Sequence, residues 1–105
     1  HVIPEMNHNE LVGWTGGDER FAPIFFNTGD LHPRNYRRFE ISQEAVEKKC
    51  GKVLLVHAKG DSFIERSIYL INIVDWASYY LCEMNGADII DIEIIDYLKG
   101  ELAKF

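Results

Sequence analysis

The sequence lacks the features that mark membrane, nucleic-acid-binding and disulfide-rich proteins. Its 105 residues include only two cysteines and three prolines, and they carry a formal net charge of −6. No apolar run approaches the ~20 residues of a membrane span. A protein that binds phosphate backbones needs a basic stripe to displace counterions, and the negative balance argues against one. We therefore expect neither a membrane nor a nucleic acid as a partner.

Cofactor and metal signatures are also missing. Cys50 and Cys82 lie far apart and form no C-x-x-C pair, so we expect buried, reduced thiols. The chain contains no G-x-G-x-x-G, no G-x-x-x-x-G-K-[ST] and no metal-ligand spacing, which predicts that it takes no cofactor. Residues 1–9 are polar and lack the apolar segment of a signal peptide, so we expect a cytoplasmic protein.

The chain is apolar enough to fold, since 47% of its residues are hydrophobic. Its length suits one small domain with a thin core. It starts at His1 rather than at an initiator Met, which favours a piece of a longer protein.

The middle of the chain has the pattern of a β-α-β unit. The continuous apolar run 21–26, closed by turn residues, predicts a strand buried on both faces of a parallel sheet. Helical spacing follows over 33–49, and 53–56 is a second strand. A short helix or turn is expected over 9–14. The fold class is therefore α/β.

Two helices are predicted after the second strand. Ser62 and Glu65 have capping-box spacing and open a helix to about Met84 that is apolar nearly all round. Such a helix needs a covering partner, either more chain or another subunit. Asp75 interrupts it as a candidate buried acid or as an acid paired across an interface, with Arg66 or with another arginine. Residues 92–102 combine a helical apolar stripe with acids at the start and lysines near the end, which favours a helix capped by Asp88 or Asp91.

Four side chains are candidates for chemistry. His32 lies in a polar turn, where we favour an ordinary surface residue. His57 lies at the carboxyl end of the second strand, where open α/β sheets place ligands, but we favour a structural role for it. His8 has hydrogen-bonding neighbours in Asn7-His8-Asn9-Glu10 that would fix its tautomer, so catalysis and helix capping both stay open. Lys99 flanks an apolar stripe and is either a snorkelling lysine or a cation that steadies an oxyanion.

Three segments together resemble one enzyme family. Residues 3–14 contain the run P-E-M-N-H-N-E, residues 61–66 and 75–81 read DSFIER and DWASYYL, and residues 95–102 read IDYLKGEL. In this order they resemble the P-E-x-N-H-N-E segment, the second signature and the C-terminal end of bifunctional phosphoglucose/phosphomannose isomerases. The resemblance covers nearly the whole chain.

That resemblance implies two sugar isomerase (SIS) domains, each a three-layer α/β sandwich around a parallel sheet, with residues 1–105 as the C-terminal part of the second. It implies a homodimer that interconverts glucose or mannose 6-phosphate with fructose 6-phosphate through ring opening and a cis-enediol. His8 matches the family's ring-opening histidine, and Lys99 matches its C-terminal active-site lysine. The resemblance identifies no substrate-binding residue within this chain.

The chain also departs from the family pattern. The family's catalytic glutamate, in an N-E-N segment, and its Ser/Thr-rich phosphate loops precede the first residue here, so the isolated chain is expected to be inactive. Residues 88–91 replace the D-P-x-P that relatives often carry. The rival hypothesis is a non-catalytic SIS-type module that binds sugar phosphates for regulation. Such a module would not require His8 or Lys99, and their presence favours the enzyme.

Overall fold

The computed structural model describes residues 2–3 and 5–105. His1 and Pro4, the latter within the P-E-x-N-H-N-E segment, lie outside the described residues. The elements, in chain order, are α1 (Glu5–Asn9), a 3-10 helix (Leu11–Gly16), β1 (Ile24–Asn27), α2 (Pro33–Glu47), β2 (Leu54–His57), α3 (Phe63–Asn85) and α4 (Glu93–Leu102). The 3-10 helix covers the predicted turn at 9–14, whereas α1 was not predicted.

The two strands form a parallel sheet joined by α2. Ile24 pairs with Leu54 at one end and Asn27 pairs with His57 at the other. The β-α-β unit and the α/β class are therefore confirmed. Parallel strands place both carboxyl ends at one edge, so the loops after β1 and β2 are neighbours there.

A small core lies between β1 and α2. Phe25, Phe39 and Val46 are buried, and the two phenylalanine rings meet edge to face with centroids 5.5 Å apart. The neighbouring strand residues Ile24 and Phe26 are exposed. The prediction that this strand is buried on both faces is therefore wrong for this chain, because α2 packs against one face of the described sheet only.

The loop after the 3-10 helix lies against the end of α2. Asp18 and Cys50 form an isolated parallel bridge, and a Cβ on Gly51 would lie 2.4 Å from the Glu19 carbonyl oxygen. Glycine is needed at position 51 because any Cβ there would clash with the Glu19 carbonyl. Helix α2 ends earlier, at Glu47. Cys50 and Cys82 are free thiols, but both are half-buried rather than buried.

The chain divides into two compact units, residues 1–71 and 72–105, and α3 runs from the first into the second. Both C-terminal helices are confirmed. Over 63–85 and 93–102 the structure describes no buried side chain, so α3 does not find within this chain the cover that its composition predicts. None of the described helices is both long and apolar enough to span a bilayer.

Candidate active site

His8 lies in α1, a helix of five residues. The Asn9 Nδ2 group donates to Glu5 Oε1 at 2.5 Å, which closes that turn on itself. The imidazole of His8 is exposed, and within residues 2–3 and 5–105 no hydrogen-bond partner holds it. The expectation that its neighbours fix its tautomer is therefore not met, because Asn7 and Asn9 bond to other groups. An exposed imidazole is open to solvent and to a substrate.

A buried serine anchors α1 to α2. Asn7 Nδ2 donates to Ser42 Oγ at 2.5 Å, and the Ser42 hydroxyl donates to the Arg38 carbonyl at 2.7 Å. Ser42 is fully buried. Sequence reasoning missed this contact, although the spacing 39, 42, 46 places Ser42 on the buried stripe of α2 between two core residues.

Lys99 lies in the last turn of α4, in the second unit, and is exposed. Its charge suits the negative end of the helix dipole, while Glu93 and Asp96 suit the positive end. Lys104 forms an ion pair with Glu101, with 2.5 Å between Nζ and Oε1, whereas Lys99 has no ion pair among the described residues. Lys99 and His8 belong to different units of the chain.

At the carboxyl edge of the sheet, an ion pair joins the loop after β1 to the first turn of α3. Arg66 Nη2 lies 2.9 Å from Asp30 Oδ2, and Arg66 Nη1 donates to the Gly60 carbonyl at 3.3 Å. The Thr28 hydroxyl, and then the Arg66 guanidinium, lower the pKa of Asp30 below its ordinary value. Asp75 is exposed, so the prediction of a buried acid is wrong for this chain, whereas a pair across an interface stays a prediction. Arg66 itself bonds to the sheet edge within the first unit.

Side chains at the N-terminus of α3 accept hydrogen bonds from the backbone N–H groups there. Glu65 Oε2 accepts from the backbone N–H of Ser62 at 2.7 Å and of Asp61 at 2.9 Å, and Ser62 Oγ accepts from the Glu65 N–H at 3.2 Å. The backbone and hydroxyl of Ser62, then the Asp61 N–H, lower the pKa of Glu65. The predicted capping box is confirmed. Because a carboxylate already occupies these N–H groups, they are not available to a substrate phosphate.

The other two histidines have separate places. His32 is exposed, as expected for a surface residue, and its Nδ1 also accepts from the Arg34 N–H at 3.3 Å, which caps α2 ahead of Pro33. His57 is exposed at the end of β2, opposite Asn27. The Asn27 side chain is used locally, since its Oδ1 accepts from the Gly29 N–H at 2.8 Å.

An apolar groove opens in the first unit, with a volume of about 530 Å³. Met6, Trp14, Phe21, Phe25 and Phe39 supply much of its wall. A phosphate group needs cationic partners, and the described lining contains no lysine or arginine. His8 is not among the lining residues described, so this groove is distinct from the surface on which the imidazole lies.

The geometry alone does not identify the family of this chain, whereas comparison with known proteins does. The family described as the bacterial phospho-glucose isomerase C-terminal SIS domain matches residues 1–102. A bifunctional phosphoglucose/phosphomannose isomerase of Aquifex aeolicus is 32% identical over 98% of this chain and 33% of its own length. Proteins of the same name from Caldicellulosiruptor bescii and Thermoplasma volcanium are 29% and 30% identical, over 99% and 98% of the chain.

The chain spans about a third of the length of these relatives, as the 33% and 32% coverage of the first two indicates. No solved structure matches it significantly. The family match extends over all the described elements, from α1 with its exposed His8 to the last residue of α4. The chain therefore belongs to the bacterial phospho-glucose isomerase C-terminal SIS domain family.

Proposed function

We propose that this chain is the C-terminal part of the second SIS domain of an aldose–ketose isomerase. The enzyme interconverts glucose 6-phosphate, and mannose 6-phosphate, with fructose 6-phosphate. The observation that carries the proposal is the family match over residues 1–102, which includes His8 as an exposed imidazole with no partner among the described residues. The names of the relatives support the same substrate class.

In this proposal His8 transfers a proton and Lys99 stabilises a negative charge. The His8 imidazole moves a proton between the ring oxygen and the C1 hydroxyl, which opens the sugar ring. A neutral imidazole suits this step because it both accepts and donates a proton near neutral pH. The Lys99 ammonium steadies the oxyanion that develops as a proton moves between C1 and C2. The base for that transfer is a glutamate supplied by an upstream segment.

The proposal extends to the whole protein. The two described strands form part of a larger parallel sheet in a three-layer sandwich, and the missing N-terminal part supplies the phosphate loops. The protein is a cytoplasmic homodimer whose active sites lie near the subunit boundary. The exposed apolar side chains of α3, among them Phe63, Ile64 and Leu81, support a covering partner of this kind.

Substitution of His8 tests the activity. In the complete protein, we expect His8→Ala to lower the isomerase rate with glucose 6-phosphate by on the order of 10²–10⁴, the usual cost of a lost acid–base group. His32→Asn is the matched control, because asparagine still caps α2 and His32 has no role in the proposed reaction. A complete protein with no isomerase rate, in which His8→Ala alters only sugar-phosphate affinity, would establish the regulatory binding module instead.

The upstream coding sequence tests the remaining parts of the proposal. We expect the reading frame before the His1 codon to encode an Asn-Glu-Asn segment and earlier Ser/Thr-rich loops. The 105-residue chain, assayed alone, should then show no isomerase turnover. A start codon directly before His1 would leave the chain without a base and would favour the binding module.

A further inference from the structure

We infer that Ser42 is a positioning residue for His8, acting through Asn7. The inference rests on the proposed function, because it gives a role in ring opening to a side chain that contacts no substrate. Its observation is the chain of hydrogen bonds from Asn7 to Ser42 to the Arg38 carbonyl.

Helix α1 is too short to hold its own orientation. It has five residues, and isolated helices of this length are not stable in water. Its Asn9–Glu5 bond is internal and does not attach the helix to another element. Among the described residues, the Asn7–Ser42 bond is the one side-chain hydrogen bond that joins α1 to α2. Met6 of α1 packs against the core as well, so the Asn7–Ser42 bond and this apolar contact together hold α1 in one rotation about its axis.

The rotation of α1 decides where His8 lies. Successive helix residues are about 100° apart around the axis, at 3.6 residues per turn. With Asn7 held against α2, the next side chain lies around the helix from this contact, and His8 is indeed exposed while Asn7 is half-buried. A helix released from α2 would spread the imidazole over several directions. Catalytic groups misplaced by about 1 Å lose as much as 10²-fold in rate.

The chemistry of Ser42 fixes the Asn7 amide as well. The Ser42 hydroxyl proton is committed to the Arg38 carbonyl, so Oγ is left to accept, and Asn7 must present its Nδ2 group. The Asn7 Oδ1 atom is then buried without a hydrogen-bond partner in the described part of the chain.

Kinetics of the complete protein test the inference. We expect Ser42→Ala to lower kcat about tenfold while KM changes less than twofold, because the substrate contacts remain and only the imidazole is less well placed. Asn7→Ala removes the same link without altering the buried serine, and we expect the same loss. In a His8→Ala background, Ser42→Ala should have no further effect, since the group that it positions is gone.

Ser67→Ala is the matched control. Ser67 Oγ donates to the Phe63 carbonyl at 2.9 Å, the same type of bond to a preceding helix carbonyl, and it has no link to α1. Amide hydrogen exchange across residues 6–10 is a second readout that does not depend on activity. It should be faster in Ser42→Ala and Asn7→Ala and unchanged in Ser67→Ala.

The outcomes separate the two proposals. Equal kcat for Ser42→Ala and Ser67→Ala, an additive loss in the His8→Ala background, or unchanged exchange in α1 would each overturn the positioning role. If the complete protein is no isomerase, faster exchange confined to α1 upholds the Asn7–Ser42 anchor while the proposed function fails. If Ser42→Ala does not fold, Asn7→Ala decides between the same outcomes.

Discussion

Single residues in this chain gain their roles from what they are bonded to. Asn7, His8 and Asn9 are consecutive and all polar, yet the structure uses Asn7 as an anchor, Asn9 as a local brace and leaves His8 exposed. The two lysines near the C-terminus differ in the same way. Lys104 is paired with Glu101, whereas Lys99 has no such partner among the described residues.

This difference between the lysines gives a prediction for the complete enzyme. We expect Lys99→Met to lower kcat by about 10²–10³, the usual cost of removing one group that stabilises an oxyanion. Lys104→Met should leave kcat unchanged, because an exposed ion pair contributes little. Methionine keeps the helix propensity and length of both side chains. Steady-state kinetics that show equal rates for the two variants would remove Lys99 from the proposed site.

At the scale of elements, the termini of the helices carry most of the local specificity. Helix α2 begins with a histidine cap followed by Pro33, and α3 begins with a complete capping box. Helix α4 begins at Glu93 and its N-cap residue is Ile92, so the prediction that Asp88 or Asp91 caps it is wrong. The Glu93 N–H does donate to Asp91 Oδ1 at 3.0 Å, one residue before the cap.

The capping box predicts a pH dependence at the start of α3. The pKa of Glu65 is lowered in the folded chain, so its stabilising effect is present above the ordinary glutamate pKa of about 4.3 and is lost as the pH falls through the lower folded value. Protection factors for the Asp61 and Ser62 amide hydrogens should therefore fall over this acidic range. Hydrogen exchange followed by NMR measures them.

Glu65→Gln provides the control for this prediction. Glutamine keeps the capping-box geometry but has no carboxyl to titrate. Protection of the two amide hydrogens in Glu65→Gln should therefore show no step at acidic pH. A step of the same size in both proteins would assign the pH dependence to another group.

At the scale of the molecule, the chain has more apolar surface than it covers. Its buried core consists of three side chains in the first unit, while Met84, Ile90 and Ile94 are each more than 80% exposed. Monomeric soluble proteins seldom expose large apolar patches, and such patches mark interaction surfaces. The small core also has little to set against the conformational entropy of 105 residues.

The exposed surface predicts how the chain behaves in isolation. We expect the 105-residue chain to self-associate in a concentration-dependent way and to bind the dye ANS, because α3 and α4 have no buried side chain among the described residues. We expect the complete protein to form a defined dimer that does not bind ANS. Sedimentation velocity over a range of concentrations measures the association. A compact monomer at all concentrations, without ANS binding, would contradict the proposal that a second subunit or an upstream segment packs on α3.

The sequence by itself determined the elements and the family. The spacing of apolar residues predicted both strands and the three long helices, because an element buried on one side carries apolar residues at a fixed interval. The capping box predicted the start of α3 to within one residue. The three motif segments identified the family that the comparison confirmed. A helix of five residues is too short to show a helical repeat of apolar residues, which is why α1 was missed.

Only the tertiary structure decided which side chains meet. Asn7 and Ser42 are 35 positions apart, and Asp30 and Arg66 are 36 apart, so no local pattern links either pair. The structure also decided which strand face is covered, because that depends on the position of α2 rather than on the composition of β1. Hydrogen bonds and packing between distant segments depend on the path of the folded chain, and no short window of sequence contains that path.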